Sequence, residues 1–237
     1  MMREELVFGP IHSRRLGSSL GINLLPTKGK LCNFDCVYCE CGWNKDGRED
    51  KRLPSAAVSR GRSLRTMSIH PSPFSLNPDF ARIIDITLEL RDKYFPDAKV
   101  SVLSNATRVS RQDVFEALRK VDNPILKIDA PSDELAALIN QPQGEYHVDD
   151  IVAGLMRFEG DFVLQTMFLR SSEFDSSSPE VLNGWMDIVR RLRPREIMVY
   201  TLDREAPAKD LVKFSADEMR SLVKPLVDEG FSIQVRG

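Results

Sequence analysis

The sequence predicts an α/β fold in which helices cover a parallel sheet, and two observations support this prediction. First, apolar stretches of strand length alternate with amphipathic stretches of helix length from Asn77 onward, with short loops between them. Second, 237 residues with 42% hydrophobic and 29% charged residues suit one α/β domain of barrel type. Strand, helix and strand in succession imply parallel strands joined by right-handed crossovers, and about six such units predict a partial (β/α)6 barrel. We expect residues 1–237 to form this one domain.

The N-terminal part leads into the first predicted strand. Residues 1–19 predict an irregular entry segment with a glycine-containing approach to that strand. Residues 20–25 form a short apolar run, typical of a strand, and Pro26 ends it. The loop that holds all the cysteines follows directly. It is therefore expected at the C-terminal end of a strand, where open α/β sheets and barrels build their sites.

Helix-capping and helix-ending residues predict the positions of the remaining helices and strands. Helix starts are predicted from N-cap residues at Asn77, Ser110, Ser132, Ser178 and Ser215. The predicted helices cover 77–94, 110–121, a short segment after Ser132, 149–158, 178–192 and 215–230. The predicted strands cover 99–103, 124–129, 161–169, 196–200 and 231–235.

All four cysteines of the chain lie within residues 32–41, which is too clustered for a disulfide framework. Cys32, Cys36 and Cys39 stand in C-x3-C-x2-C spacing, with the aromatic residue Tyr38 just before the third. One loop can therefore place three thiolates around one metal centre. A 4Fe-4S cluster held by four thiolates is coordinatively saturated, whereas three thiolates leave one iron open to a ligand.

Two other interpretations of the cysteines fit the sequence less well. Structural zinc usually draws on two ligand pairs separated by a longer segment, and the sequence has no second pair. Inert buried thiols fit poorly with the interleaved Asn33, Asp35 and Glu40. Because only Glu40 separates Cys41 from Cys39, we interpret Cys41 as a bystander rather than a ligand.

The cysteine motif resembles the signature of the radical S-adenosylmethionine (SAM) superfamily. Residues 8–17, 19–23 and 32–42 resemble its wyosine-synthase-like bacterial and archaeal branch. The resemblance implies a partial (β/α)6 barrel of radical SAM type, a 4Fe-4S cluster on the three cysteines, and SAM at the open iron. It implies an enzyme that reductively cleaves SAM to a 5′-deoxyadenosyl radical, which then modifies a substrate. An external one-electron donor of flavodoxin or ferredoxin type is the implied partner.

Polar residues at predicted strand ends are the candidates for cofactor binding, because such ends face the cavity of a parallel barrel. Together with Tyr38, the candidates are Ser104, Asn105, Lys127, Asp129, Gln165, Arg170 and Tyr200. The family often uses the position of Ser104 and Asn105 for the ribose or carboxylate of SAM. Lys127 and Asp129 alternate with apolar residues and are predicted to face the cavity, with a solvated strand end as the alternative.

The last three candidates depend on side-chain chemistry. Gln165 interrupts an apolar strand, and an unpaired buried amide costs about 1–3 kcal/mol, so it needs a ligand or a neighbouring strand as its partner. Arg170 could pair with a carboxylate through two parallel hydrogen bonds. Tyr200 could flank adenine, or it could be a core tyrosine with a hydrogen-bonded hydroxyl.

Residues 51–78 depart from the family. This segment has no acidic residue in a chain that has 35 of them, and its composition predicts a loop. The family carries a second helix and strand here, followed by a Gly-Glu-Pro type motif whose backbone pairs with the methionine amino group of SAM. Residues 68–76 read SIHPSPFSL instead. A compensated frameshift affecting residues 57–76 and true divergence are the two explanations, and both predict weak SAM binding by this polypeptide.

Charge, hydropathy and cysteine content indicate which partners and which cellular location to expect for the protein. The net charge is −2 and the pI is near 6.0, which gives no support to a polynucleotide substrate such as tRNA. The basic residues within 190–195 are expected at a helix C-terminus, where the helix dipole favours cations, with nucleic-acid binding as the alternative. No apolar run approaches the ~18 residues of a membrane span. Free thiols and an oxygen-sensitive cluster predict a cytoplasmic protein.

Three functions therefore compete. A radical SAM enzyme would cleave SAM when its cluster is reduced. A cluster-binding protein with impaired or lost SAM catalysis would show a cluster spectrum that SAM does not change. A zinc-stabilised RNA-binding module would contain zinc and no iron.

Overall fold

The structure is a computed structural model, and it describes residues 7–13, 17–22, 30–44, 66–69 and 77–237. Its strands are β1 (Val7–Ser13), β2 (Gly17–Ile22), β3 (Thr66–Ile69), β4 (Lys99–Ser104), β5 (Asn123–Lys127), β6 (Val163–Met167), β7 (Leu169–Arg170), β8 (Glu196–Tyr200), β9 (Val212–Lys213) and β10 (Ile233–Arg236). Its helices are α1 (Phe80–Tyr94), α2 (Gln112–Arg119), α3 (Asp133–Ile139), α4 (Val148–Met156), α5 (Pro179–Leu192) and α6 (Ala216–Asp228). None of these helices is both long and apolar enough to span a bilayer.

The chain divides into two compact units. The first unit contains Met1–Cys32 and Asn44–Ile125, and the second contains Asn33–Trp43 and Leu126–Gly237. The boundary falls inside β5 and at both ends of the cysteine loop. The organisation of residues 1–237 as a single domain stays a prediction.

In the first unit, strands β1 to β4 are adjacent in chain order. β2 pairs with β3 and β3 with β4 in parallel, whereas β1 pairs with β2 in antiparallel register. The prediction of an irregular segment over residues 1–19 was therefore wrong for the part that the structure describes. The reason is a register shift between Phe8 and Ile11, which lets a Gly-Pro-containing stretch pair without regular alternation.

The segment 51–78 is only partly described. Its residues 66–69 form β3, between β2 and β4, so the loop prediction was wrong at these positions. Residues 51–65 and 70–76 lie outside the described residues. The predicted departure from a Gly-Glu-Pro motif falls mostly on these residues and stays a prediction.

Two predicted helix starts in the first unit were displaced. Asn77 is not the N-cap of α1, because the helix starts at Phe80 with Asp79 as its N-cap. The Oδ1 of Asn77 accepts from the backbone N–H of Asp79 at 2.9 Å, in the turn before the helix. The predicted capping box at Ser110 is absent from α2, whose N-cap is Arg111, without a side-chain cap. The guanidinium of Arg111 instead pairs with Asp113 at 2.6 Å.

In the second unit, β6, β8 and β10 are parallel neighbours, and β7 pairs with β9 in a separate two-stranded sheet. The caps at Ser132 and Ser215 and the start of α5 after Ser178 are confirmed. The predicted strand over 161–169 is divided into β6 and β7. Gly160 is required because a Cβ there would lie 2.5 Å from the carbonyl oxygen of Arg193.

Candidate cofactor site

The two ends of the cysteine loop, Cys32 and Asn44, both belong to the first unit. The backbone N–H of Cys32 donates to Asn44 Oδ1 at 2.9 Å, and Asn44 Nδ2 donates to the carbonyl of Cys32 at 3.0 Å. This reciprocal pair closes the loop at its base. Asn44 is 2% exposed, and the sequence prediction missed it.

The body of the loop, residues 33–43, belongs to the second unit and turns tightly. Cys39 N–H donates to the Cys36 carbonyl at 3.1 Å, and Gly42 N–H donates to the Cys39 carbonyl at 2.9 Å. Cys36 is buried, whereas Cys39 and Cys41 are half-buried. The four cysteines, all in the described part of the chain, form no disulfide.

Two other segments of the second unit hold this turn. The end of α3 and the connection to α4 pair with residues 33–37 through three backbone bonds: Asp35 N to Asn140 O (2.9 Å), Val37 N to Ile139 O (3.0 Å) and Gln143 N to Asn33 O (2.8 Å). The loop after β8 contacts the turn through Ala208 N to Val37 O (3.2 Å) and through the Arg204–Glu40 ion pair (2.9 Å). The turn is thus fixed from both sides.

The Asp129 carboxylate, just after β5, gathers four donors and is fully buried. The Tyr38 hydroxyl donates to Oδ2 at 2.5 Å, and Asn140 Nδ2 donates to the same oxygen at 2.7 Å. The backbone N–H of Met167 donates to Oδ1 at 2.9 Å, and Lys127 Nζ lies 3.1 Å from that oxygen. The predicted pair Lys127 and Asp129 is therefore not a solvated strand end.

The Lys127 ammonium lies between two aromatic rings. Its Nζ is 4.9 Å from the ring centre of Tyr38 and 4.7 Å from that of Tyr200, and it donates to the Tyr200 hydroxyl. Burial alone would lower the pKa of Lys127, but Asp129 and Tyr200 raise it to about 12. Lys127 is therefore a permanent cation, neutralised by Asp129. Tyr38, Lys127, Asp129 and Tyr200, all predicted to bind the cofactor, thus meet here from three separate parts of the sequence.

Burial sets the protonation of Cys36 and Tyr38. It raises the pKa of the Cys36 thiol to about 11, and the negative charge of Asp129 adds to this. It also raises the pKa of Tyr38 well above its ordinary value, again with help from Asp129. In the metal-free protein Cys36 is a thiol at neutral pH, so a metal that binds its sulfur must displace a proton.

Gln165 and Thr166 point to opposite faces of β6. Thr166 Oγ1 donates to the carbonyl of Ile128 at 2.7 Å and accepts from Trp185 Nε1 of α5 at 3.0 Å. Gln165 therefore lies on the other face, which also carries Tyr200 through the register of β6 with β8. It is 3% exposed, and its Nε2 has no hydrogen-bond partner among the residues that the structure describes.

The predicted candidates Ser104 and Asn105 lie in the first unit, where they shape the turn after β4. Ser104 Oγ accepts from Ala106 N–H at 3.2 Å. Asn105 Oδ1 accepts from the hydroxyl of Thr107 at 2.9 Å. Ala106 itself adopts a left-handed conformation with φ 63°. Their predicted role in cofactor binding stays a prediction.

Arg170 makes its contacts within the second unit. Its guanidinium stacks on Phe214 at 3.9 Å and pairs with Glu218 at 3.3 Å. Nε lies 3.9 Å from Asp175, which is close enough for charge attraction but too far for a hydrogen bond. The guanidinium of Arg170 thus already contacts an aromatic ring and two carboxylates of the protein. That it also pairs with a carboxylate of the cofactor stays a prediction.

Three of the four arginines within 190–195 lie near acidic side chains, and the fourth, Arg193, lies over the ring of Phe231. Arg190 pairs with Glu229 and Asp187, Arg191 lies near Asp149, and Arg195 pairs with Asp161. The surface around this helix end is therefore not a patch of excess positive charge. This arrangement favours the helix-end interpretation over nucleic-acid binding.

The donor set fits an iron–sulfur cluster by its chemistry. Among the described residues, no three His, Cys, Asp or Glu side chains lie close enough together to hold a metal ion. The fit rests instead on the three thiols in C-x3-C-x2-C spacing and on Asn140 Nδ2, which lies 3.5 Å from Cys36 Sγ. Cluster sulfurs commonly receive hydrogen bonds of this kind.

Comparison with known proteins supports a common fold and family. The model of the "Radical SAM superfamily" matches residues 27–158, which is more than half of the chain. The UPF0026 protein of Methanocaldococcus jannaschii is 27% identical over 219 residues, covering 88% of this chain and 66% of that protein. The chain thus spans just under two thirds of the length of this curated relative.

Solved structures agree on the fold. A radical SAM methyltransferase from Sphaerobacter thermophilus matches with a TM-score of 0.69 at 16% identity, over 92% of this chain and 66% of that one. Streptococcus suis SuiB bound to S-adenosylmethionine matches with a TM-score of 0.65 at 14% identity, over 92% of this chain and 50% of that one. The predicted fold class, an α/β partial (β/α)6 barrel of radical SAM type with parallel strands and outer helices, is confirmed.

Proposed function

Because this chain belongs to the radical SAM superfamily, we propose that it is an enzyme that holds a 4Fe-4S cluster on Cys32, Cys36 and Cys39 and cleaves SAM reductively to modify a substrate. The observation that carries the proposal is the C-x3-C-x2-C motif inside the matched residues 27–158. When bound, such a cluster supplies the electron for cleavage of a carbon–sulfur bond of SAM, and three protein thiolates leave one iron open to it.

The residues around Asp129 supply a pre-organised polar surface beside the cysteine turn. Tyr38 and Tyr200 are held by hydrogen bonds and by the Lys127 cation, so neither ring must be ordered when a ligand arrives. Aromatic faces fixed in this way suit the adenine of SAM. Because Asp129 neutralises Lys127, this group of residues adds no net charge to oppose a sulfonium cofactor.

Gln165 supports binding of a polar ligand on the same face of β6 and β8. Its buried amide nitrogen is a donor without an acceptor among the described residues. SAM offers acceptors in its adenine, its ribose and its carboxylate. A bound cofactor that accepts from this nitrogen would therefore remove the cost of about 1–3 kcal/mol that an unpaired buried amide carries.

A cysteine substitution series with metal analysis tests the cluster assignment. After anaerobic reconstitution, Cys32→Ala, Cys36→Ala and Cys39→Ala are each expected to lose the visible charge-transfer absorbance, because three thiolates are the minimum set. Cys41→Ala is the matched control and should keep it. Full iron content in the triple variant would overturn the assignment, and zinc without iron in the unmodified protein would favour the zinc-stabilised alternative.

A second candidate function is a cluster-binding protein with impaired SAM catalysis. The observation that favours it is the sequence of residues 68–76, which contains two prolines and no Gly-Glu-Pro motif. Proline lacks the backbone N–H, so it removes donors from the chain at these positions. This candidate predicts a cluster spectrum that does not change on addition of SAM.

The partners and location follow from the same proposal. An external one-electron donor of flavodoxin or ferredoxin type would reduce the cluster. A cytoplasmic location suits its oxygen-sensitive iron and its free thiols. The paired arginines within 190–195 give no support to RNA as the substrate.

A further inference from the structure

Asn140 connects the cysteine turn to the end of β5 through one buried side chain. It lies directly after α3 and is 2% exposed. Its Nδ2 is 2.7 Å from Asp129 Oδ2, 3.2 Å from the Tyr38 hydroxyl and 3.5 Å from Cys36 Sγ. These three groups all belong to the proposed cofactor site, but Asn140 is outside the cysteine motif.

The backbone of Asn140 is also held. Its N–H donates to the carbonyl of Ala136 at 2.8 Å, and its own carbonyl accepts from Asp35 N–H at 2.9 Å. The next residue, Gln141, is left-handed with φ 44°, which ends the helix sharply. Because the main chain is fixed on both sides, the carboxamide has little freedom to leave Cys36.

Asn140 Nδ2 has three neighbouring acceptors but only two hydrogens to donate. A carboxamide nitrogen carries two hydrogens, and the short contact to the charged Asp129 takes one of them. The second faces both the Tyr38 oxygen and the Cys36 sulfur. A thiolate accepts hydrogen bonds more strongly than a thiol does, so the second hydrogen turns to Cys36 when that sulfur ligates a metal.

We propose that Asn140 is a positioning residue for Cys36, which orients its sulfur and donates an N–H···S hydrogen bond to it in the cluster-bound protein. This inference rests on the proposed function. Hydrogen bonds to cluster sulfurs favour the reduced, more negative state and so raise the reduction potential. Asn140 therefore makes the cluster easier to reduce.

Asn140→Ala tests the proposal against Ser132→Ala as a matched control. Ser132 caps the other end of α3 and accepts from Leu135 N–H at 3.3 Å, so its loss weakens the same helix without touching Cys36. In the metal-free protein, iodoacetamide labelling of Cys36, read by peptide mass mapping, should slow about three- to tenfold in Asn140→Ala, because the lost hydrogen bond stabilises the thiolate that reacts. Faster labelling would show that the side chain only shields Cys36 and would overturn the proposal. Ser132→Ala should stay near the unmodified rate.

The second readout is the midpoint potential of the reconstituted cluster. It should become more negative in Asn140→Ala and stay unchanged in Ser132→Ala. If Asn140→Ala does not fold, Asn140→Ser takes its place, because the serine hydroxyl is too short to reach the sulfur. Unchanged labelling and potential, or equal changes in the control, would overturn the proposal. If the unmodified protein binds no iron, the proposed function fails, while the labelling experiment still decides the role of Asn140.

Discussion

Asp129 shows how one buried charge can hold several segments of the second unit together. Its carboxylate accepts from the cysteine turn, from Asn140 and from β6, and it neutralises Lys127. The carboxylate side chain has no exposed surface, so removal of its charge leaves a buried cation unpaired.

We therefore expect Asp129→Asn to lower the free energy of unfolding by about 3–5 kcal/mol. Lys127→Met added to Asp129→Asn should recover part of the loss, because the unpaired ammonium is then gone. Urea denaturation of both variants measures the effect. A loss below about 1 kcal/mol would mean that the pair behaves like an exposed salt bridge.

Replacement of Gln165 should stabilise the ligand-free protein, whereas replacement of Asp129 should destabilise it. Gln165→Met should raise the free energy of unfolding by about 1–3 kcal/mol, because it removes a buried donor that has no acceptor in the part of the chain that the structure describes. The same variant should lose much of the thermal stabilisation that SAM gives the unmodified protein. Thr166→Val, on the opposite face of β6, should instead destabilise the ligand-free protein, because it removes the acceptor of Trp185. Destabilisation by Gln165→Met would contradict this account.

The sequence could predict Gln165 but not Asn140. A glutamine inside an apolar run is conspicuous because a strand of this kind has few ways to satisfy an amide. Asn140 follows a predicted helix, where asparagine is an ordinary helix-ending residue. Its functional contact is with Cys36, 104 positions away, and no local pattern encodes that pairing.

At the scale of elements, helix starts were predictable where the capping partners are close in sequence and nothing competes for them. Ser215 and Glu218 form the expected capping box. At Ser110 the prediction was wrong because α2 starts one residue later, with Arg111 as its N-cap. The break between β6 and β7 and the strand β9 were not predicted, since two-residue strands leave no detectable periodicity.

The starts of α3 and α4 are linked by an exposed pair. Asp133 Oδ1 accepts from Val148 N–H at 2.7 Å, and its Oδ2 lies 2.8 Å from His147 Nδ1. The hydrogen bond to Asp133 raises the pKa of His147. The protonated imidazole is thus favoured in the folded state, so its contribution is full below the unfolded-state pKa, about 6.5, and is lost as pH rises through the folded-state pKa.

His147→Gln should accordingly lower the melting temperature most at mildly acidic pH. The difference from the unmodified protein should shrink as pH rises through the folded-state pKa of His147. Thermal melts across this range measure it. A difference that does not change with pH would show that the charge of His147 has no part in linking the two helices.

At the scale of the whole molecule, alternation of strands and helices was enough to predict the fold class. Composition alone did not predict the strand at residues 66–69, because the serine, arginine and proline content of this segment suggests a loop. The cysteine spacing was enough to suggest the family. The gathering of the three sulfurs around a metal stays a prediction, because the described residues do not show it.

The segment 66–76 leads to a prediction about turnover. Without the Gly-Glu-Pro chemistry that holds the methionine amino group, this chain should bind SAM weakly and cleave it slowly. A graft of Ser-Gly-x-Gly-Glu-Pro over residues 66–76 should raise the rate. Vigorous cleavage by the unmodified chain would show that this segment does not limit SAM binding.

Formation of 5′-deoxyadenosine from SAM under dithionite tests the central claim most directly. The anaerobically reconstituted chain, its grafted form, and a variant with Cys32, Cys36 and Cys39 all changed to Ala would be compared by chromatography. The account predicts slow formation by the unmodified chain, faster formation by the grafted form and none by the triple variant. Formation no greater in the unmodified and grafted chains than in the triple variant would contradict the claim that this protein cleaves SAM.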